Sequence, residues 1–142
     1  CIRDSYEGFC QALMDAGKTP NPSLCLTTPL GIDSYREEID SFLSSLSRMP
    51  DAFVCASDYV ACILMQLLEK RGLRVPEDVA VSGFDNNIED LLAENLTTVQ
   101  VFNEELGSRL ALQILYRIKY PHTPHEVTYL ESKVLYRAST GD

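Results

Sequence analysis

Apolar residues along this 142-residue chain switch repeatedly between helical and strand spacing. Tyr6, Phe9, Cys10 and Leu13 lie three and four positions apart, on one face of a helix that Gly17 closes before a turn at Pro20 and Pro22. Leu24, Cys25 and Leu26 predict a short strand. Ser34 with Glu37 then forms a capping box for a helix whose apolar face is Tyr35, Ile39, Phe42, Leu43 and Leu46, ended by Pro50. Phe53 to Ala56 predicts a strand, Val60, Ile63, Leu64, Leu67 and Leu68 the next helix, and Val79 to Phe84 a β-branched strand of the kind buried in parallel sheets. A polar loop from Asn86 to Asn95, with one helical turn at Ile88 to Leu92, leads to a strand from Thr97 to Val101. Leu106, Leu110, Ile114 and Ile118 lie along one face of a helix from Asn103 to Tyr120. Val127 with Tyr129, then Val134 with Tyr136, predict two strands joined as a hairpin across Glu131-Ser132-Lys133. Such alternation implies an α/β fold with a doubly wound, mostly parallel sheet, flavodoxin-like in its winding.

Two strands in this pattern end on polar residues. After Lys70 and Arg71, which suit the negative end of a helix, Gly72 can stop it in the left-handed conformation and Pro76 prevents its return. The strand that follows ends on Asp85, and the strand before it runs into Ser57 and Asp58 at the start of a helix. Ligands of open α/β sheets bind at the carboxyl ends of strands, where the loops diverge around a crevice. A carboxylate held there accepts hydrogen bonds from vicinal sugar hydroxyls, although Asp85 equally suits capping of the next turn. Ser57 offers a hydroxyl, and Asp58 fits both an N-cap and a ligand contact. Asn86 and Asn87 extend the polar rim or serve the turn.

Composition narrows the function. With 45% hydrophobic residues the chain can bury one core and is too short for two ordinary domains. A net charge of −9 argues against direct nucleic-acid binding, which needs clustered Lys and Arg on phosphates. The five cysteines, Cys1, Cys10, Cys25, Cys55 and Cys62, show no CxxC spacing and read as reduced thiols acting as small hydrophobes, which fits a cytoplasmic protein. No apolar run reaches transmembrane length. His122 and His125 form an HxxH in a Pro-flanked turn, a polar loop rather than a metal site, and no metal or cofactor is expected. The chain has no nucleophile elbow, no phosphate-cradling glycine loop and no plausible Cys-His pair, so catalysis is not expected. The strand-end aspartate bears a distant likeness to a receiver domain, but paired acids do not follow the first strand.

The order of these motifs resembles the LacI/GalR family of bacterial transcriptional regulators. Ala56-Ser57-Asp58 ahead of a helix, Gly72-Leu73-Arg74-Val75-Pro76-Glu77-Asp78, Gly83-Phe84-Asp85, Leu96-Thr97-Thr98-Val99 and Glu105-Leu106-Gly107 are similar to family motifs in the same sequence, as is Arg3 with Gly8-Phe9 and Ala12-Leu13. The resemblance covers nearly the whole chain. It implies the effector-binding, periplasmic-binding-protein-like region of a regulator, in which Asp85, Arg3, Ser57 and Asp58 line a site for a sugar or sugar derivative. Ser57 departs from the amide usual there. It also implies a homodimer that meets DNA only through a helix-turn-helix headpiece lying outside this chain. A periplasmic sugar-binding protein of a transport system is the alternative. Because the chain opens on Cys1, it reads as a fragment incomplete at its N-terminus. By the family layout, residues 1–101 form the main part of the C-terminal subdomain, 102–120 a helix that docks on the other subdomain, and 121–142 the return strands and tail. That helix's apolar stripe should then find cover in a second copy, by a swap between chains, or by swinging onto its own sheet.

Overall fold

The computed structural model describes residues 2–27, 34–87 and 91–141, and the side chains of all of these but 2, 3, 91 and 92. The elements run α1 (Ile2–Asp15), α2 (Tyr35–Ser45), β1 (Ala52–Val54), α3 (Asp58–Lys70), β2 (Ala80–Ser82), α4 (Leu91–Glu94), β3 (Thr98–Gln100), α5 (Asn103–Lys119) and β4 (Lys133–Leu135). Strands β1 and β2 pair in parallel, with Phe53 opposite Val81. Parallel bridges from Ser82 to Thr97 and from Asp85 to Gln100 join β2 to β3, and β4 closes the far side of β3 antiparallel. The expected mostly parallel α/β sheet is therefore present, with strands shorter than the apolar runs that announce them.

The core lies where α2 and α3 meet the first two strands. Ile39, Leu43, Leu64, Leu67, Leu68, Val79, Val81 and Leu96 are buried together. Each such side chain contributes about 1.5–3 kcal/mol relative to exposure. Arg71 clamps the two helices, pairing with the Asp40 carboxylate at 2.6 Å and donating to the Asp40 carbonyl and the Ser44 hydroxyl. The helix α3 ends as its sequence requires: Gly72 takes φ +74°, its N–H donates to the Glu69 carbonyl, and the Leu73 N–H reaches back to Leu68. Beyond it, Arg74 grips the Asp78 carboxylate through two guanidinium nitrogens, and those hydrogen bonds hold Asp78 down at about 2.

Several local expectations are corrected. Leu24 ends a single 3-10 turn, Pro22–Leu24, rather than opening a strand, because the Asn21 side chain accepts the Ser23 N–H and curls the backbone. At the start of α2 the Ser34 hydroxyl donates to Glu38, one residue beyond the expected Glu37. The small helix α4 comes later than expected, and residues 88–90 lie outside the described residues. Val127 and Tyr129 form no strand and are 75% and 89% exposed, so the expected hairpin is absent and β4 pairs with β3 instead. Helix α5 has its apolar residues in the expected register, yet none of its side chains is buried, so it does not swing onto its own sheet. The segment after it folds back alongside instead, with Arg117 donating to the Thr123 and Pro124 carbonyls.

The cysteines divide by environment. Cys55 and Cys62 are buried, and burial, helped by the neighbouring Cys62 and Asp58, pushes the Cys55 thiol up to about 12. Cys10 and Cys25 are half-buried beside Tyr6, and Cys1 lies outside the described residues. Iodoacetamide on the native chain at neutral pH should therefore alkylate Cys10 and Cys25 well before Cys55 and Cys62, because the thiolate is the nucleophile. Peptide mapping checks the order, and equal rates at all four would mean the core opens far more readily than its packing implies.

Candidate functional site

The polar rim forms where β1 and β2 end. Ser57 has extended backbone and its Oγ accepts the Val60 N–H at 3.4 Å, so it is the N-cap of α3. Asp58 is thereby the first helical residue rather than the cap, and its side chain turns inward. It is 2% exposed. The Asp58 N–H donates to the Phe84 carbonyl at 2.9 Å, and its Oδ1 accepts the Thr98 hydroxyl at 2.6 Å. Asp58 thus pins the start of α3 through its backbone N–H to the segment just after β2, and through its carboxylate to the first residue of β3.

That inward turn explains Gly83. A Cβ at this position would lie 2.2 Å from Asp58 Oδ1 and 2.9 Å from Leu96 Cδ2. The glycine of Gly83-Phe84-Asp85 exists here for the close approach of a buried carboxylate, and its φ is not in the left-handed region.

Asp85 occupies the carboxyl end of β2. Its N–H donates to the Val99 carbonyl at 3.0 Å, continuing the pairing with β3 three residues past the strand. Then the backbone turns sharply, with φ +103° at Asp85 and +51° at Asn86. Two consecutive non-glycine residues at positive φ cost about 1–3 kcal/mol each, and such strain gathers at sites where a side chain must be presented in a fixed way. The Asp85 carboxyl is half-buried, and burial first, then the charge of Asp58, raise it above the usual aspartate range. Among the described residues no side-chain or backbone donor is hydrogen-bonded to the Asp85 carboxylate, and an ionised carboxylate accepts at both oxygens. Of the other expected site residues, Ser57 shares this rim, Asp58 lies beneath it, and the Arg3 side chain lies outside the described residues.

The family described as periplasmic binding protein-like domain matches residues 2–140. The chain belongs to that family. It is similar to the HTH-type transcriptional regulator GalR of Streptococcus thermophilus, at 32% identity over 138 residues, covering 96% of this chain and 40% of the relative. Among solved structures it is similar to the transcriptional regulator CelR–cellobiose complex, at 29% identity and a TM-score of 0.81, over 94% of this chain and 41% of that one. It is also similar to a LacI family transcriptional regulator from Enterococcus faecium with bound ribose, at 28% identity and a TM-score of 0.78, over 98% of this chain and 51% of that one. The chain spans between 31% and 42% of the length of the first curated relatives it matches.

In this periplasmic binding protein-like domain the C-terminal residues also support the rim. The Arg137 guanidinium donates to the Ala93 and Leu96 carbonyls, each at 3.0 Å, and to Asn86 Oδ1 at 2.8 Å. Asn86 Nδ2 in turn donates to Gln100 Oε1 at 2.5 Å. Ser139, 2% exposed, accepts the Thr97 N–H and donates to the Val81 carbonyl at 2.6 Å, stitching the tail across β2 and β3. The sequence places Arg137 and Ser139 only within return strands and a tail, and helical or strand spacing holds no signal of their roles. Two shallow grooves lie elsewhere, along α5, one lined by Leu110, Ile114 and Ile118 with Gln113 and Arg117, the other by Val101, Phe102 and Leu106 with residues 128–132. Most of the surface lining both grooves is apolar, whereas the rim at Asp85 gathers the polar side chains of Ser57, Asp85 and Asn86. Among the described residues no group of three or more His, Cys, Asp or Glu side chains could hold a metal ion. No helix there is long and apolar enough to cross a membrane.

Proposed function

We propose that this chain is the effector-sensing core of a LacI-type transcriptional regulator and binds a sugar or sugar derivative at the Asp85 rim. The observation that carries the reading is Asp85 itself: a half-buried carboxylate with no hydrogen-bond donor among the described residues, fixed by a strained turn beyond the carboxyl end of a strand. Ser57 adds a hydroxyl from the neighbouring strand end, and Arg3 adds a planar donor fork where α1 begins. Asp58 acts through Ser57 and the strand ends rather than by contact. The relative with bound ribose and the cellobiose complex support a sugar, and both being transcriptional regulators favours this reading over a transport protein or an enzyme.

Residues 1–101 form the main part of one subdomain, the helix at 102–120 docks its apolar stripe on a second, and residues 121–142 return. A sugar that binds the closed arrangement of two subdomains more tightly than the open one shifts their populations, and so the fit of helix-turn-helix headpieces on a DNA site. The assembly is a cytoplasmic homodimer, and no catalytic step is involved.

Calorimetric titration of the intact regulator with ribose, cellobiose and related sugars tests the binding half. Saturable binding of at least one is expected, and silence across pentoses, hexoses and disaccharides would remove the sugar reading. A second expectation concerns nucleic acid. With its net charge of −9, the 142-residue chain alone should give no sequence-selective mobility shift at about 0.1 M salt, where nonspecific attraction is partly screened. A selective shift by this chain would place DNA recognition within these residues.

A further inference from the structure

We propose that Arg137, fifty-one positions from Asn86 in the chain, is a positioning residue of the Asp85 site, holding the strained Asp85-Asn86 turn in its ligand-ready conformation. The proposal rests on the reading of Asp85 as the effector acceptor. Its grounds are the fork geometry of one guanidinium. Nη1 is fixed on two main-chain carbonyls, Ala93 and Leu96, around the end of α4, and Nη2 presents a donor to Asn86 Oδ1. The Asn86 amide, oriented by that bond, donates its other end to Gln100, whose own Nε2 is tied to the Val101 carbonyl. Asn86 is thus held at both ends of its amide group.

This matters because, among the described residues, only Arg137 and Gln100 hold the Asn86 side chain in the turn. Asn adopts the left-handed region more readily than most residues, and Asp85 follows it only because its N–H is committed to Val99. Without the guanidinium, Asn86 can relax toward negative φ, and the carboxylate one residue earlier loses its direction. The requirement is for a planar fork that serves three acceptors at fixed angles. A lysine ammonium keeps the charge but cannot satisfy that geometry.

The test uses the 142-residue chain with isotope labelling. In Arg137→Lys, the three-bond HN–Hα couplings of Asp85 and Asn86 should leave the values characteristic of positive φ. The Asp85 amide should exchange roughly tenfold faster, the loss of about one hydrogen bond's worth of local protection. Amides of α3 and β1 should be unmoved. Couplings and exchange at Asp85 and Asn86 identical to the parent would overturn the proposal. If Arg137→Lys loosens the whole chain, Gln100→Leu decides, because it removes the other anchor of Asn86 and leaves the Arg137 contacts to Ala93 and Leu96 in place. The same local change, of smaller size, is expected there, and no change would overturn the proposal. These readouts need no effector. If Asp85→Ala leaves sugar affinity intact in the intact regulator while Arg137→Lys relaxes the turn, the effector reading falls and the structural coupling stands.

Discussion

Gly83→Ala is expected to destabilise the chain by about 2–6 kcal/mol, a large share of the roughly 5–15 kcal/mol that holds a whole domain folded. The added methyl would stand 2.2 Å from Asp58 Oδ1, 2.9 Å from Leu96 Cδ2 and 3.1 Å from Asp58 Cα. The last is backbone at the start of α3, so rotating a side chain does not relieve it. Overpacking alone costs about 1–3 kcal/mol. Displacing the Asp58 carboxylate also strands the buried Thr98 hydroxyl, for about another 1–3 kcal/mol. Urea denaturation measures the loss. Asp58→Ala on top of Gly83→Ala should recover part of it by removing the nearest atom, and a double variant less stable than the sum of both losses would contradict this account of the glycine.

Asp85→Ala in the intact regulator should weaken sugar binding by about 1.5–3 kcal/mol, the range for hydrogen bonds to a charged group. Asp85→Asn separates charge from backbone, since Asn accepts positive φ at least as well. It should retain the turn and still lose part of the affinity. The raised carboxyl sets the sign of the pH effects. With its folded value above the unfolded one, Asp85 contributes stability that is fully present below the unfolded aspartate range and lost as pH rises through the folded value. Asp85→Asn should therefore stabilise the fold at neutral pH, with the advantage disappearing in acid. Sugar affinity should run the other way, falling as pH drops toward the raised value because the ionised acceptor is the one hydroxyls prefer. An Asp85→Asn protein that is less stable than the parent at pH 7 would contradict the environment assigned to this carboxyl.

Much of this architecture is written in local pattern. The helices α2 and α3 follow directly from apolar residues at 3.6 spacing, and the stop at Gly72 from a residue able to take positive φ. Asp85 was legible as a strand-end carboxylate because strand length and burial place it there. What local pattern could not supply was partnership. Leu24 and Val127 have strand-like neighbours, yet Leu24 lies in a 3-10 turn and Val127 in an exposed irregular segment. Asp58 reads as a rim residue until Thr98, forty positions away, claims its carboxylate. Arg137 and Ser139 act on Asn86 and Val81, fifty-one and fifty-eight positions distant. Periodicity reports which face of an element is buried, and says nothing of which distant polar group meets it.

The most direct test of effector sensing through Asp85 is operator binding by the intact regulator, followed by fluorescence anisotropy while the binding sugar is titrated in, for the parent and for Asp85→Ala. The account predicts that the sugar shifts operator affinity of the parent and that Asp85→Ala binds the operator equally well without sugar but needs about ten- to a hundredfold more sugar for the same shift. An Asp85→Ala protein that responds over the same sugar range as the parent would contradict it.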